Sequence, residues 1–391
     1  MIPPRGTRAL LCLNGVLLTS ALLLFGKPER SAAPVAVRPV AEPGAAARSP
    51  HLQWVRELPP LRPAWPDQPR LQFDAAYQPV VHGRTLLLAS SRTDSVIAYD
   101  ADTGVERWRF TTDGPVRFAP TVWEDRAYFV ADDGYLYCVA LADGSLHWKF
   151  RGGPGDRKIL GNGRLISTWP ARGAPVVADG TVYFAAGIWP FMGVFLHALD
   201  ARSGAVLWTN DGDGASFIKQ PHSAEAFAGV APQGALVVSG DRLLVPGGRS
   251  VPACYDRHTG KLLHFQLAEN NKTGGGAEVQ SAAGLYANGG ALFDAATGDY
   301  LMALGERVVL TEAALFSGSG TQCDVYDVRA ARREGTEAID RRGRRTAATE
   351  WKLPKRATLT LPPIEALALA GDRLYVGSAN QVLAVDLPRK G

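Results

Sequence analysis

Ten loop side chains between residues 151 and 253 have the types needed to hold a ligand: Asn162, Arg164, Trp169, Arg172, Trp189, Phe191, Lys219, Gln220, His222 and Arg249. Flat aromatic rings beside guanidinium and ammonium groups can grip a sugar, an anionic small molecule or an extended peptide. These residues belong to a series of inserted stretches at 151–173, 187–193, 212–234, 246–253 and 268–279. The stretches are rich in Gly and Pro, yet between them carry Trp, Arg, Lys, Asn and His, which a plain linker would not. The competing reading is purely structural. Trp169, Trp189 and Phe191 would then plug a channel mouth or pack loop on loop, and the polar residues would make ordinary loop hydrogen bonds.

Signals for bond-making chemistry are sparse. The chain has no GxSxG, HExxH or Walker sequence. "LGNGRLIS" (160–167) contains a GxG but lacks the strand–turn–helix setting of a phosphate cradle. The histidines are His51, His82, His147, His197, His222, His258 and His264; none forms an HxH or HxxxH pair, so no metal site is expected. His147, His197 and His264 fall on strand candidates and are expected to pack. Cys12, Cys138, Cys254 and Cys323 are scattered and provide no disulfide framework. Cys138 alternates within an apolar run, as a small buried side chain would. With 42 basic and 38 acidic side chains the charge is near balance, and nothing calls for a nucleic-acid partner.

The elements that would position the loops repeat along the chain. "DADTGVERW" ends at Trp108, "LADGSLHW" at Trp148 and "DARSGAVLW" at Trp208. In each, Trp lies four residues after a Gly: Gly104, Gly144 and Gly204. Asp256 and Gly260, then Asp294 and Gly298, begin two further copies, with His264 and Met302 in the Trp position. Trp108 and Trp148 are 40 residues apart, about one four-stranded propeller blade, whereas Trp148 and Trp208 are 60 apart and enclose an insertion. Short runs rich in β-branched and aromatic residues precede each turn, such as "RTLLLASS" and "SVIAYD". The unit therefore reads strand, strand, strand, turn, strand. Asp100, Asp200, Asp256 and Asp294 are expected to cap the turn through backbone N–H groups, and the Gly to take the left-handed conformation a bulged hairpin needs. Each Trp is a plate suited to packing between neighbouring sheets.

A sixth copy runs into the basic stretch 329–345, expected to be a solvated loop, and recovers at Trp351. The last copy, 372–387, lacks its outer strand. "LQWVREL" (52–58), with Trp54, resembles an outer strand without inner partners, and pairing the two would close a ring and remove its edges. The expectation is an all-β, seven-bladed propeller of four-stranded antiparallel blades, with an eight-bladed ring as the alternative.

The N-terminus stands apart. Arg5 and Arg8 precede an apolar run at 9–25, followed by small residues. Residues 1–27 read as a cleaved export signal or an uncleaved membrane anchor. Residues 28–50 read as a disordered linker and 51–388 as the propeller. The expected location is exported: periplasmic, or anchored outside the cytoplasm with only the N-terminal segment touching the membrane.

The repeat as a whole, about residues 51–388, resembles the PQQ-like (quinoprotein-type) propeller repeat, shared by quinoprotein dehydrogenases and by the BamB-like subunit of outer-membrane assembly machinery. Family members often have eight blades. The resemblance implies two functions that differ in class. Quinoprotein dehydrogenases stack their cofactor between a Trp and a vicinal Cys–Cys disulfide, hold Ca²⁺ with Glu, Asn and Asp, and use an Asp base. No Cys–Cys pair exists here, so no cofactor is expected. The BamB-like alternative implies a non-catalytic scaffold that binds an envelope protein. An enzyme or a sugar-binding propeller working through the inserted loops remains the alternative, with a small molecule or sugar as ligand.

Overall fold

The computed structural model describes residues 52–68, 71–213, 217–219, 225–227, 229–247, 250–265, 275–339, 343, 345–379 and 381–387. The expected export segment and linker, 1–50, lie outside them. Strands dominate; the described residues include no α-helix, and a 3-10 turn spans Pro190–Met192. No described helix is long and apolar enough to cross a membrane.

Among the described residues, six antiparallel sheets contain four strands, a seventh contains three, and three further pairs stand apart. The first sheet runs Val80–His82, Thr85–Ser90, Ser95–Asp100, Glu106–Thr111, each strand bonded to the next. The second (121–151), third (176–210), fourth (237–264) and fifth (279–303) repeat that meander. First strands of successive sheets, from the second to the seventh, lie against one another in order, so the sheets radiate from a common side. The two middle strands are almost wholly buried: Leu86, Leu87, Val96, Ala98, Tyr128, Phe129, Phe184 and Leu199 have essentially no exposed surface. The outer strand alternates, as in Glu106–Thr111, with Trp108 inward and Arg107 and Arg109 outward.

The turn behaves as its residues dictate. Asp100 accepts from the N–H groups of Asp102 and Thr103, both at 3.0 Å, and Asp256 from those of His258 and Thr259 at 3.0 and 2.8 Å. Asp200 accepts from Ser203 N–H at 2.7 Å and Asp294 from Ala296 N–H at 2.7 Å. Gly144 has φ of 72°, and a Cβ there would lie 2.7 Å from the Trp108 ring. Glycine thus provides both the left-handed turn and the seat for the preceding sheet's indole. Trp108 donates its indole N–H to Leu141 O at 3.0 Å, Trp148 to Arg202 O at 3.0 Å, and Trp208 to Arg257 O at 2.9 Å. These three indoles sit on Gly144, Gly204 and Gly260 in turn, and His264 sits likewise on Gly298.

The Arg107 guanidinium and the Thr103 N–H pull the Asp100 carboxyl from its usual 3.8 down to about 2. A carboxylate whose pKa is lowered by folding adds stability above its unfolded value, and that stability is lost as pH falls through the folded value. Asp100→Asn is therefore expected to lower stability at neutral pH and to flatten the acid limb between about pH 4 and 2. Urea melts at several pH values check it; parallel pH profiles for the two proteins would contradict it.

Three expectations need correction. Residues 52–58 form no strand and do not pair with Gln381–Asp386; the seventh sheet ends at that strand among the described residues. The segment is held by the first sheet instead. Trp54 donates to Ala101 O at 2.9 Å and sits on Gly104, while Arg56 donates to Gly104 O at 2.8 Å. Trp54 thus occupies the indole seat without the strand, and Pro59 and Pro60, which lack N–H donors, follow it directly. Second, 329–345 is no simple loop, since Arg332–Ile339 and Arg345–Lys352 pair as a long hairpin. Trp351 belongs to that hairpin, and the outer strand of the sixth sheet is Lys355–Thr360. Third, His147 is exposed, because strand alternation turns it away from Trp148. His197 is buried as expected, bonded to Gly152 O and Thr209 Oγ1 and stacked on Phe184; burial pushes its pKa down, which keeps it neutral.

Candidate docking face over the second and third sheets

Three of the polar loop residues, Asn162, Arg164 and Arg172, prove to be internal braces. Arg172 follows the Lys158–Gly161/Arg164–Ser167 hairpin and has no exposed surface. Its Nε and Nη2 donate to the two carboxylate oxygens of Asp132, both at 2.9 Å. Arg117 donates to Asp132 at 2.7 Å and to Asp74 at 2.5 Å, and Asp74 also accepts from Ala64 N–H at 2.9 Å. With its amide oriented to satisfy both groups, Asn162 accepts from Arg172 Nη2 at 2.8 Å and donates to Ala64 O at 3.2 Å. Two guanidiniums and two carboxyl groups therefore tie the second sheet, the hairpin and the N-terminal strap (52–68 and 71–78) together. Burial alone would raise the Asp132 carboxyl, but Arg172 and Arg117 outweigh it and hold the pKa below the usual range. At Asp74 burial prevails over Arg117 and the pKa rises. The adjoining cavity, lined by Asp74, Arg117 and Ser91, measures about 10 Å³, room for a single water.

Arg164 pairs with Asp94 of the first sheet's central hairpin turn, which anchors the inserted hairpin from a third direction. Trp169 donates its indole N–H to Met192 O at 2.7 Å and pins the 3-10 turn. Trp189 meets Trp65 edge-on at 5.8 Å between ring centroids, and Phe191 lies 6.2 Å from Trp189. The hairpin turn (through Asn162) and the 3-10 turn (through Trp189) both converge on Ala64 and Trp65. Among the exposed Asp156, Arg157 and Lys158 they present large apolar side chains outward: Phe191 is 63% exposed, and Leu160 and Leu165, directly opposed in the hairpin, are 81% and 59% exposed.

Of the ten residues singled out by sequence, Asn162, Arg164, Trp169, Arg172, Trp189 and Phe191 are thus brought together, the first four as supports. Lys219 lies on a short strand whose side chains are not described; Gln220, His222 and Arg249 lie outside the described residues. Sequence reasoning missed Trp65, Asp74, Asp94, Arg117, Asp132, Leu160 and Leu165. One usable signal was "VADDG", where Asp132 follows a buried strand ahead of the turn and has no cap to make.

The fold and its junctions define the class: an all-β propeller built on repeated, mostly four-stranded antiparallel sheets, the first four laying an aromatic ring on the next sheet's turn. Residues 48–389 match the model of the family described as outer membrane protein assembly factor BamB, and the chain belongs to that family. Among solved structures it is similar to BamB from Moraxella catarrhalis (17% identity, 77% of this chain and 81% of that one, TM-score 0.45). It is also similar to a europium-containing methanol dehydrogenase (13%, 80% and 77%, TM-score 0.46) and to quinohemoprotein alcohol dehydrogenase from Comamonas testosteroni (14%, 79% and 64%, TM-score 0.48). No curated protein matches the chain.

The residues present do not fit the quinone cradle. Cys138, Cys254 and Cys323 are each buried within the second, fourth and sixth sheets, where no two can form a vicinal pair. The turn aspartates are engaged by backbone N–H groups, and no group of His, Cys, Asp and Glu among the described residues is placed to hold a metal.

Proposed function

We propose that the protein is an exported, non-catalytic docking module of the cell envelope, and that the insertions over the second and third sheets bind an extended segment of a partner protein. One observation carries this reading: large apolar side chains, Leu160, Leu165 and Phe191, stand exposed on loops that Asn162, Arg164, Trp169 and Arg172 brace from within. A rigid apolar patch loses little entropy on docking, which favours binding. The paired strands Lys158–Gly161 and Arg164–Ser167 also form a two-stranded sheet with open edges, suited to strand addition. The family's description as an assembly factor supports an envelope protein as the partner. The basic flank and apolar run of residues 1–27 support export. A sugar site is less well supported, since Trp169 and Trp189 are half-buried and Phe191 alone of the three candidate rings is exposed.

Leu160→Asp combined with Phe191→Asp is expected to weaken capture of the envelope partner at least about tenfold, as loss of an interface hot spot does. Stability should change by no more than about 0.5 kcal/mol per surface site. Pull-down from envelope extracts, with thermal melts in parallel, checks it. Undiminished capture by the double variant would remove the proposed face.

A further inference from the structure

The junction between the fifth and sixth sheets breaks the rule that the four junctions before it follow. Trp108, Trp148 and Trp208 stand opposite Ala98, Cys138 and Ala198, just before a bulge in each sheet. In the fifth sheet the same register position, opposite Leu292, holds Met302. A thioether is narrower than an indole and has no N–H to donate. The next turn offers no glycine seat either, since it reads Val328, Arg329, Ala330, Ala331. The inserted hairpin reaches back toward the gap: Trp351 donates to Asp294 Oδ2 at 3.1 Å and packs beside Leu301, Met302 and Leu353. It does not fill it. A cavity of about 260 Å³ remains, lined by Leu285, Leu292, Leu301, Met302, Trp351, Lys352 and Leu353. Leu285 and Leu292 at its floor are fully buried.

We propose that this cavity is a binding site for a small molecule carrying a neutral aromatic ring. Open to solvent and edged by the exposed Lys352, it nevertheless exceeds the roughly 150 Å³ in which an enclosed apolar cavity takes up benzene. Its lining suits a ring: four leucines, Trp351 and a thioether, which attracts aromatic rings. The repeat itself supplies the measure, because an indole occupies the corresponding position at three other junctions. The site lies apart from the docking face over the second and third sheets and does not depend on it.

The test uses 5-fluoroindole and the full-length protein. Wild type should give a saturable bound ¹⁹F resonance and a concentration-dependent rise in Tm. Met302→Trp places the indole covalently. It should raise the ligand-free Tm and reduce 5-fluoroindole affinity at least tenfold. Met302→Phe serves as the second variant should the tryptophan not fold, with the same loss of affinity expected. The proposal is overturned by wild type that shows no saturable binding up to the probe's solubility limit, or by variants that bind as tightly as wild type does.

Discussion

Asp132→Ala is expected to destabilise the protein by about 3–5 kcal/mol, the effect of stranding a buried charge. Arg172, with no exposed surface, would lose both of its charge-assisted bonds, and Arg117 would keep only Asp74. The guanidiniums cannot neutralise themselves by releasing a proton, as a buried lysine can. The damage should be local as well as global. Amide exchange in the hairpin 158–167 and in the strap residues 62–68 and 71–74 should quicken more than in the fourth and fifth sheets. Asp132→Asn, which keeps an acceptor but no charge, should fall between the alanine variant and wild type. The shift of the urea midpoint at constant slope measures it; a loss under about 1 kcal/mol would show that the network is not what braces the loops.

Trp108→Ala is the second large effect, again about 3–5 kcal/mol. The indole is 7% exposed, lies between the first and second sheets, and its N–H caps Leu141 O. Truncation removes the packing, opens a cavity and leaves that carbonyl without its donor. Trp108→Phe restores much of the apolar surface and should recover more than half of the loss. Chemical denaturation of the three proteins checks the order. A loss at Trp108 no larger than for an exposed residue such as Leu146 would deny that these junctions hold the sheets together.

Most of the fold was legible because its determinants are local. A turn of Asp, Thr or Ser and Gly, a Trp four residues on and alternating apolar runs all sit within about ten residues of each other. "SVIAYD" forms the strand Ser95–Asp100, and "FLHALD" forms Phe195–Asp200. Where the pattern degenerates, local reading fails. Trp351 looked like the outer strand of its sheet because "TEWKL" carries the right residues, yet a hairpin of two eight-residue strands intervenes before Lys355–Thr360. Trp54 reads as part of an outer strand in "LQWVREL"; it takes the indole seat on Gly104, but no strand forms around it. The candidate site was legible in composition and not in role. Arg172 and Arg164 carry the charge of ligand-binding residues, and nothing nearby in sequence reveals that Asp132 and Asp94, 40 and 70 residues away, consume it. The exposed Leu160 and Leu165 passed unnoticed because leucine on a strand ordinarily points inward. Only the sheet's isolation as a two-stranded pair leaves them in solvent.

The central claim is that the braced apolar face over the second and third sheets receives a protein. A photoreactive phenylalanine analogue placed at Phe191, in the protein's own envelope, tests it most directly, with the same analogue at exposed Leu146 as the control. The account predicts one dominant protein adduct at position 191 and none at 146. Equal yields from both positions, or an adduct from 146 alone, would contradict it.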